Sequence, residues 1–362
     1  MSLIIFAIVL SVLIVVHEWG HFITARLLGV RVEKFALGFG PLLFSRRHKG
    51  TDYLLRAIPM GGYVKLAGDE RNQCKGEADE FYSHPVGHRA LIVAMGPIIN
   101  FVFAYICFVF VFIVGYPAME AKVGKVLEGY PALTADLREG DMIVRIDGQV
   151  IRDFEEMQHA VMTSNGRALV LTILRDKQTL EKSIVPLGKV QPNLFGEPQK
   201  TWLVGIQPKG DITLLKYSPQ ESLRKAGAQI VTITTTTFKA LSRVVTGGMP
   251  AKDALAGPIR IFDIVKNAAE IGLSAVVYIV GVISTSLAIF NLFPIPVLDG
   301  GHLFFSAVEK LRGRPVSPKL EEGLVKVGLT LLLSLMVFVL YNDVMAVGWV
   351  EKVQRWGHMF KH

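Results

Sequence analysis

Charge is what this 362-residue chain has least of. Asp, Glu, Lys and Arg make up 19% of it, against roughly 25% in ordinary globular domains, while hydrophobic residues reach 51%. The deficit is gathered into four stretches nearly free of charge, separated by segments of normal polarity. A wholly soluble protein is excluded, and an integral membrane protein with a soluble part is expected. Cysteine is as scarce. Cys74 lies in a basic loop and Cys107 inside an apolar run, so a disulfide-built scaffold is excluded and both are expected as free thiols. No Lys or Arg precedes the first apolar run, Leu3 to Val16, and no small-x-small site follows it, which argues against a cleaved signal peptide. There is no internal repeat or low-complexity tract. A net charge of +8 would suggest nucleic acid in a soluble chain; here the bias of basic residues toward membrane-flanking loops explains it, and no nucleic-acid partner is expected.

The expected architecture is a polytopic α-helical membrane protein with four transmembrane helices, an inserted β-rich domain and a β-hairpin. The spans are 1–28, 91–119, 271–298 and 324–343, each about long enough for a bilayer core of ~30 Å. Loop 29–90 is rich in Lys and Arg, and loop 299–323 carries Lys310, Arg312, Arg314 and Lys319. The positive-inside rule puts both loops in the cytoplasm, and both termini and segment 120–270 on the other side. The tail 344–362, with Lys352, Arg355 and Lys361, pulls the other way, but two loops agree against it.

Segment 120–210 alternates short strand patterns with turn signals such as Asp147-Gly148, and Phe154, Met157 and Val161 have helical spacing. The string from Val123-Gly124-Lys125-Val126 through Leu137-Arg138-Glu139-Gly140-Asp141 to Ile146-Asp147-Gly148 resembles a bacterial PDZ domain. That resemblance implies a peptide ligand added as a strand at a sheet edge, assigned to Leu203, Val204, Gly205 and Ile206. A plain β domain without a ligand is the other reading. In the connector 211–270, Ser222 to Thr246 suits an amphipathic helix on the outer membrane surface, although the β-branched run Ile230 to Thr237 argues against one.

The chemistry centres on His17-Glu18-Trp19-Gly20-His21. On a helix, residues i and i+4 share a face, so two imidazoles can grip one Zn²⁺ with the glutamate beside them as base. Two histidines and a glutamate in a membrane helix are costly and point to function; an interfacial polar cluster is the bland alternative. A catalytic zinc needs a third protein ligand. Asp299 is the acidic residue abutting the third apolar stretch, after Pro294 and Pro296 have broken the helix. Asp299-Gly300-Gly301 also suits an ordinary turn at a helix end, and both readings stand on the residues alone.

Taken together, the H-E-x-x-H in the first span, Gly96-Pro97-Ile98-Ile99-Asn100 in the second, and N-x-x-P-x-P-x-L-D-G-G near the end of the third resemble the site-2 protease family. With a PDZ-like insert between spans two and three, the chain is similar to the family's bacterial RseP-type branch. The resemblance implies one Zn²⁺ bound by His17, His21 and Asp299, with Glu18 as catalytic acid/base. It gives supporting roles to Asn100, Asn291, Pro294 and Pro296. It also implies that a re-entrant β element in 29–90, ending in Tyr63 and Val64, pairs with unwound substrate. Its substrates would be single-span membrane proteins of the anti-sigma-factor type, pre-trimmed by a site-1 protease. The setting would be the bacterial inner membrane, with the active site near the cytoplasmic face and the PDZ-like domain on the periplasmic side. Two departures stand out: Ser286 occupies a position where many relatives carry Asn, and there is room for one PDZ-like unit where longer members have two. The competing reading is a non-catalytic membrane adaptor with a structural metal, which would leave Glu18 idle. His48, His84, His88, His159, His302 and His358 have no ligand spacing.

Overall fold

A computed structural model describes residues 2–71, 74–193 and 195–346. The chain begins with α1 (Ser2–Leu27), β1 (Val32–His48), β2 (Thr51–Leu66) and α2 (Val86–Val114). Then come β3 (Tyr116–Met119), β4 (Val123–Val126), α3 (Pro131–Thr134), β5 (Met142–Ile146), β6 (Gln149–Val150) and α4 (Phe154–Thr163). Next are β7 (Leu169–Arg175), β8 (Gln178–Ile184), β9 (Leu187–Pro192), β10 (Pro198–Leu203), β11 (Ile206–Pro208) and β12 (Ile212–Leu215). The chain closes with α5 (Pro219–Val245), α6 (Ala251–Ala254), α7 (Pro258–Ile271), α8 (Leu273–Asn291), α9 (Asp299–Arg312) and α10 (Pro318–Ala346). These form two compact units, one of residues 2–109, 223–238 and 251–346, the other of 110–222 and 239–250. The tail residues Lys352, Arg355, Lys361 and His358 lie outside the described residues.

In the first unit, four helices among the described residues are long and apolar enough to cross a membrane: Ser2–Leu27, Val86–Val114, Leu273–Asn291 and Pro318–Met345. Two of them end earlier than their apolar runs. The second stops at Val114 because Gly115 takes φ 149° and Tyr116–Met119 pairs as a strand with Ile212–Leu215. The third stops at Asn291, and Pro294 and Pro296 lie in the irregular backbone before α9. Val9, Leu13, Cys107, Val265 and Val280 form the core between α1, α2, α7 and α8. The connector is largely helical. Its β-branched run sits inside α5, where Thr234 and Thr235 donate to the carbonyls of Ile230 and Val231 and so occupy their hydroxyls within the helix.

The hairpin β1–β2 folds on itself. Residues 34–37 pair with 62–65 on one side and with 52–55 on the other, and 45–48 pair back onto 51–54. Two strands thus make four ribbons in the order 62–66, 32–37, 51–55, 44–48, bent where Gly38 and Gly40 adopt positive φ. A core of Phe22, Ala25, Val30, Val32, Leu66 and Ile92 binds the sheet to α1 and α2.

In the second unit, β6-β5-β7-β8 form one antiparallel sheet covered by α4, whose Phe154, Met157 and Val161 face the core with Val123, Ile143, Leu171 and Ile173. Asp153 caps α4 by accepting from the Glu156 N–H. A groove of about 320 Å³ opens between α4 and the 201–206 segment. Elsewhere in this unit, the buried Asp141 carboxylate takes Arg175 at 2.7 Å and the Arg138 N–H at 2.8 Å. Burial pushes this carboxyl up, but the Arg175 guanidinium and the Arg138 N–H outweigh it and hold it below its ordinary value.

A depressed carboxyl stabilises the fold above the pKa of the unfolded chain and ceases to as pH falls through the folded value. Acidification below about pH 4 should therefore weaken this unit at Asp141. Asp141→Asn should cost about 1–3 kcal/mol at neutral pH, because Arg175 keeps only Asp136 as a partner. Hydrogen exchange at the Val123 and Ile143 amides, which bracket Asp141, should quicken by roughly five- to a hundredfold.

Candidate metal centre

His17 and His21 sit one turn apart on α1, and Asp299 opens α9. Their Nε2, Nε2 and Oδ2 atoms converge: His17 to His21 is 3.3 Å, His17 to Asp299 3.1 Å and His21 to Asp299 3.5 Å. Bonds of ~2.0–2.1 Å at tetrahedral angles set ligand atoms about 3.3 Å apart, so this triangle has the size of one face of a zinc tetrahedron. The side chains are only 11%, 14% and 18% exposed.

The proton placement sharpens the fit. His21 Nδ1 lies 3.0 Å from the Ile92 carbonyl, an acceptor only, so Nδ1 carries the proton and Nε2 offers a lone pair. His17 Nδ1 lies 3.1 Å from the Asn100 amide nitrogen, while the Asn100 oxygen is buried without a partner; a half-turn of the carboxamide exchanges the two. With the oxygen toward His17, its Nε2 is freed in the same way. Two imidazole lone pairs and a carboxylate then point at one spot with no proton among them. Such an arrangement needs a cation, and the three residues suit Zn²⁺.

Close packing brings the parts together. A Cβ on Gly20 would strike the Met95 carbonyl, and one on Gly96 would strike both His21 and, at 2.8 Å, His17 Cε1. Small residues let α1 and α2 approach at the level of the imidazoles. Gly300 and Gly301 press the start of α9 onto the backbone of 292–296. Neither Gly20 nor Gly96 stands out by residue spacing; the one available signal is a glycine inside an apolar helical run.

Glu18 points to the sheet. Its Cγ would lie 3.4 Å from a Cβ on Gly62, and its carboxylate is within hydrogen-bonding reach of the Val64 backbone N–H. Tyr63 and Val64 belong to the 62–66 ribbon, an edge that among the described residues pairs only with 32–37. His17, His21, Asp299, Glu18, Asn100 and Val64 therefore occupy one place. Asn291 ends α8, and Pro294 and Pro296 sit in the loop before Asp299; none bonds the three ligand atoms among the described residues. The Ser286 hydroxyl is spent on the Val282 carbonyl of its own helix. His302 lies exposed on α9, and His84 and His88 face each other with ring centres 5.9 Å apart.

In the other unit, Leu203 ends β10 and Ile206 begins β11; all four residues 203–206 line the groove. The carbonyls of Val204 and Gly205 are taken by the Ala132 and Leu127 amides, and Ile206 pairs with Val126. The edge facing α4 thus runs through Thr201–Leu203, which pairs with β9 alone, and 204–206 forms the floor.

Comparison with known proteins decides the family. Peptidase family M50 matches residues 5–335. The chain belongs to that family, the site-2 proteases. It is 36% identical over 356 residues to "Putative zinc metalloprotease Atu1380" of Agrobacterium fabrum, covering 94% of each chain. It is also 30% identical to "Protease RseP" of Yersinia pestis, covering 94% of this chain and 98% of that one. The second alignment spans 447 positions, more than this chain has residues, so the Yersinia relative carries segments that are missing here. Family membership makes this chain a multi-pass membrane zinc metalloendopeptidase, and supplies the cation that the converging lone pairs require.

If the Gly20–Gly96 approach sets the imidazoles, Gly96→Ala should reduce zinc content as severely as Asp299→Ala while replacing none of the three candidate ligands. Metal analysis of the purified membrane protein checks it; full zinc occupancy in Gly96→Ala would remove the packing argument.

Proposed function

We propose that this enzyme cleaves single-span membrane proteins within the bilayer, near the cytoplasmic face of a bacterial inner membrane, with His17, His21 and Asp299 as zinc ligands and Glu18 as acid/base. The observation that carries the reading is a strand edge beside the metal centre: the 62–66 ribbon offers backbone groups next to Glu18 and the ligand triangle. A transmembrane substrate arrives as a helix whose carbonyls are all bonded, and a peptide bond must be extended to be attacked. An edge that can take one more strand stabilises the unwound segment and sets its register. When bound, zinc supplies Lewis-acid polarisation and brings the pKa of a water to about 7. Glu18 removes the proton of the attacking water and returns it to the leaving amine. Asn100 and the Ile92 carbonyl hold the imidazoles in the tautomer that leaves Nε2 free. Pro294 and Pro296 keep the backbone before Asp299 out of the helical state, and Asn291 ends the preceding helix.

The hairpin would be re-entrant. Its bend presents Phe39, Leu42, Leu43, Phe44 and Ile58, each 46–65% exposed, which suits acyl chains and not water. The 120–210 domain is proposed as a PDZ-like module on the periplasmic side, taking a peptide strand between α4 and Thr201–Ile206. Substrates pre-trimmed by another protease, anti-sigma factors among them, fit a site that reads freshly exposed ends. The adaptor reading is disfavoured because a structural zinc closes its fourth position with a protein ligand, and three candidates converge here.

Glu18→Gln should retain zinc and lose cleavage of a truncated single-span substrate by at least about 10²-fold. Undiminished cleavage would return the adaptor reading to first place. Val64→Pro removes one edge N–H and should abolish cleavage with zinc still bound; survival of cleavage would make the ribbon a mere support.

A further inference from the structure

The sheet has a second edge. Across it run rows fixed by register: Gly62, Leu37, Leu55 and Phe44 share one row; Val64, Phe35, Tyr53 and Arg46 lie two rows on; Lys65, Lys34, Asp52 and Arg47 form the row after that. Gly62 lies against Glu18, Phe35 and Tyr53 stack on Phe22, and Arg26 donates to the Lys49 carbonyl at 2.9 Å. The rows therefore climb α1 from Glu18 to its end, a distance of about 12 Å at 1.5 Å per residue. The outer ribbon climbs with them. It changes from Leu42-Leu43-Phe44 to Arg46-Arg47-His48-Lys49 at about 3.3 Å per residue, the distance over which hydrocarbon gives way to headgroups. Every residue from 39 to 50 is exposed, on both faces of the ribbon, so no protein layer covers it. The acid nearest these cations is Asp52, 3.8 Å from an Arg47 side chain that is 77% exposed; Arg46 and Lys49 have no ion-pair partner among the described residues.

We propose that residues 42–49 form a docking surface for anionic phospholipid, with Arg46, Arg47 and Lys49 on the headgroup phosphates and Leu42, Leu43 and Phe44 among the acyl chains. The inference rests on the re-entrant reading of the hairpin. The guanidinium forks of Arg46 and Arg47, one on each face of the ribbon, suit phosphate oxygens, and an anionic surface adds to the affinity for each basic residue. Because the same sheet carries the ribbon beside Glu18, lipid charge at the outer edge would steady the inner one.

The test uses the full chain in the Cys74→Ser background, where Cys107 is buried, with Ser45→Cys bearing an environment-sensitive fluorophore. It is reconstituted into phosphatidylcholine vesicles containing one quarter phosphatidylglycerol, with bromine on the acyl chains of one lipid or the other. Brominated phosphatidylglycerol should quench several-fold more per mole than brominated phosphatidylcholine, and R46Q/R47Q/K49Q should abolish that ratio. Equal quenching per mole in the parent, or a ratio that survives the triple substitution, would overturn the headgroup site while leaving the re-entrant hairpin intact. No quenching by either lipid would overturn both. The readout needs no cleavage, so it stands apart from the fate of the protease reading.

Discussion

Everything near the centre follows from one electrostatic constraint: two imidazole nitrogens and a carboxylate oxygen held 3.1–3.5 Å apart inside a membrane protein. Left to themselves they repel, and nothing in hydrocarbon would screen them. Three helices supply the counterforce. On α1 the two candidate ligands sit one turn apart, α2 brings Asn100 and the Ile92 carbonyl to the far nitrogens, and α9 delivers Asp299 from its first residue. Each contact behind a ligand fixes a proton as well as an angle, which is why an apparently passive carbonyl belongs to the site.

The same constraint explains where the chain places its few charges. Arg89 near the start of α2 and Glu309 on α9 pair at 2.6 Å, and Arg71 joins them at 2.9 Å while lying over the Tyr82 ring. Burial raises the Glu309 carboxyl, but the Arg89 and Arg71 guanidiniums outweigh it and keep it below its ordinary value. This cluster joins the two helices that carry Asn100 and Asp299 at a point well removed from the metal. A second fastening lies at Asp343, buried on α10, whose carboxylate accepts from the amides of Gly257, Ile259 and Arg260 at the start of α7. It satisfies donors that a helix start leaves open and ties a mostly exposed span to the helices packed on α1.

Sequence alone carries a good part of this, and the limits have physical causes. An i, i+4 histidine pair is legible because helix geometry is local, and four spans are legible because hydrocarbon demands long apolar runs. Asp299 is legible only in the light of the first motif, since Asp-Gly-Gly serves equally as a turn. Asn100 shows its place once α1 and α2 are packed; no spacing along one chain reports a contact 83 residues away. Gly96 opens a motif that the resemblance uses, but the motif does not report its role: its importance is the absence of a side chain where two helices nearly touch. The β-branched run in α5 misleads because strand propensity there yields to hydroxyls that bond within the helix. The hairpin is the hardest case. A strand that pairs on both sides with different parts of its partner has no one-dimensional signature, and Gly38, Gly40 and Pro41 read only as punctuation.

Charge balance links metal to fold. With both carboxyls ionised, Glu18 and Asp299 together carry two negative charges, and a divalent cation between the imidazoles would bring the sum to zero. In water that sum matters little; in a bilayer an uncompensated carboxylate costs several kcal/mol even after relaxation. Loading the metal therefore removes the main electrostatic objection to packing α1 against α2 and α9. The glycines at the α1–α2 crossing supply no attraction to replace it, only proximity. A site built this way is tightest when occupied, so metal affinity and helix packing are two faces of one free energy. The strand edge beside Glu18 is largely outside the coupling, because apart from the Val64 N–H that faces the Glu18 carboxylate its groups are backbone amides and carbonyls, neutral whether or not a metal is present. That division sets a charge-balanced centre next to a strand edge, the combination on which the proposed cleavage of an unwound segment rests.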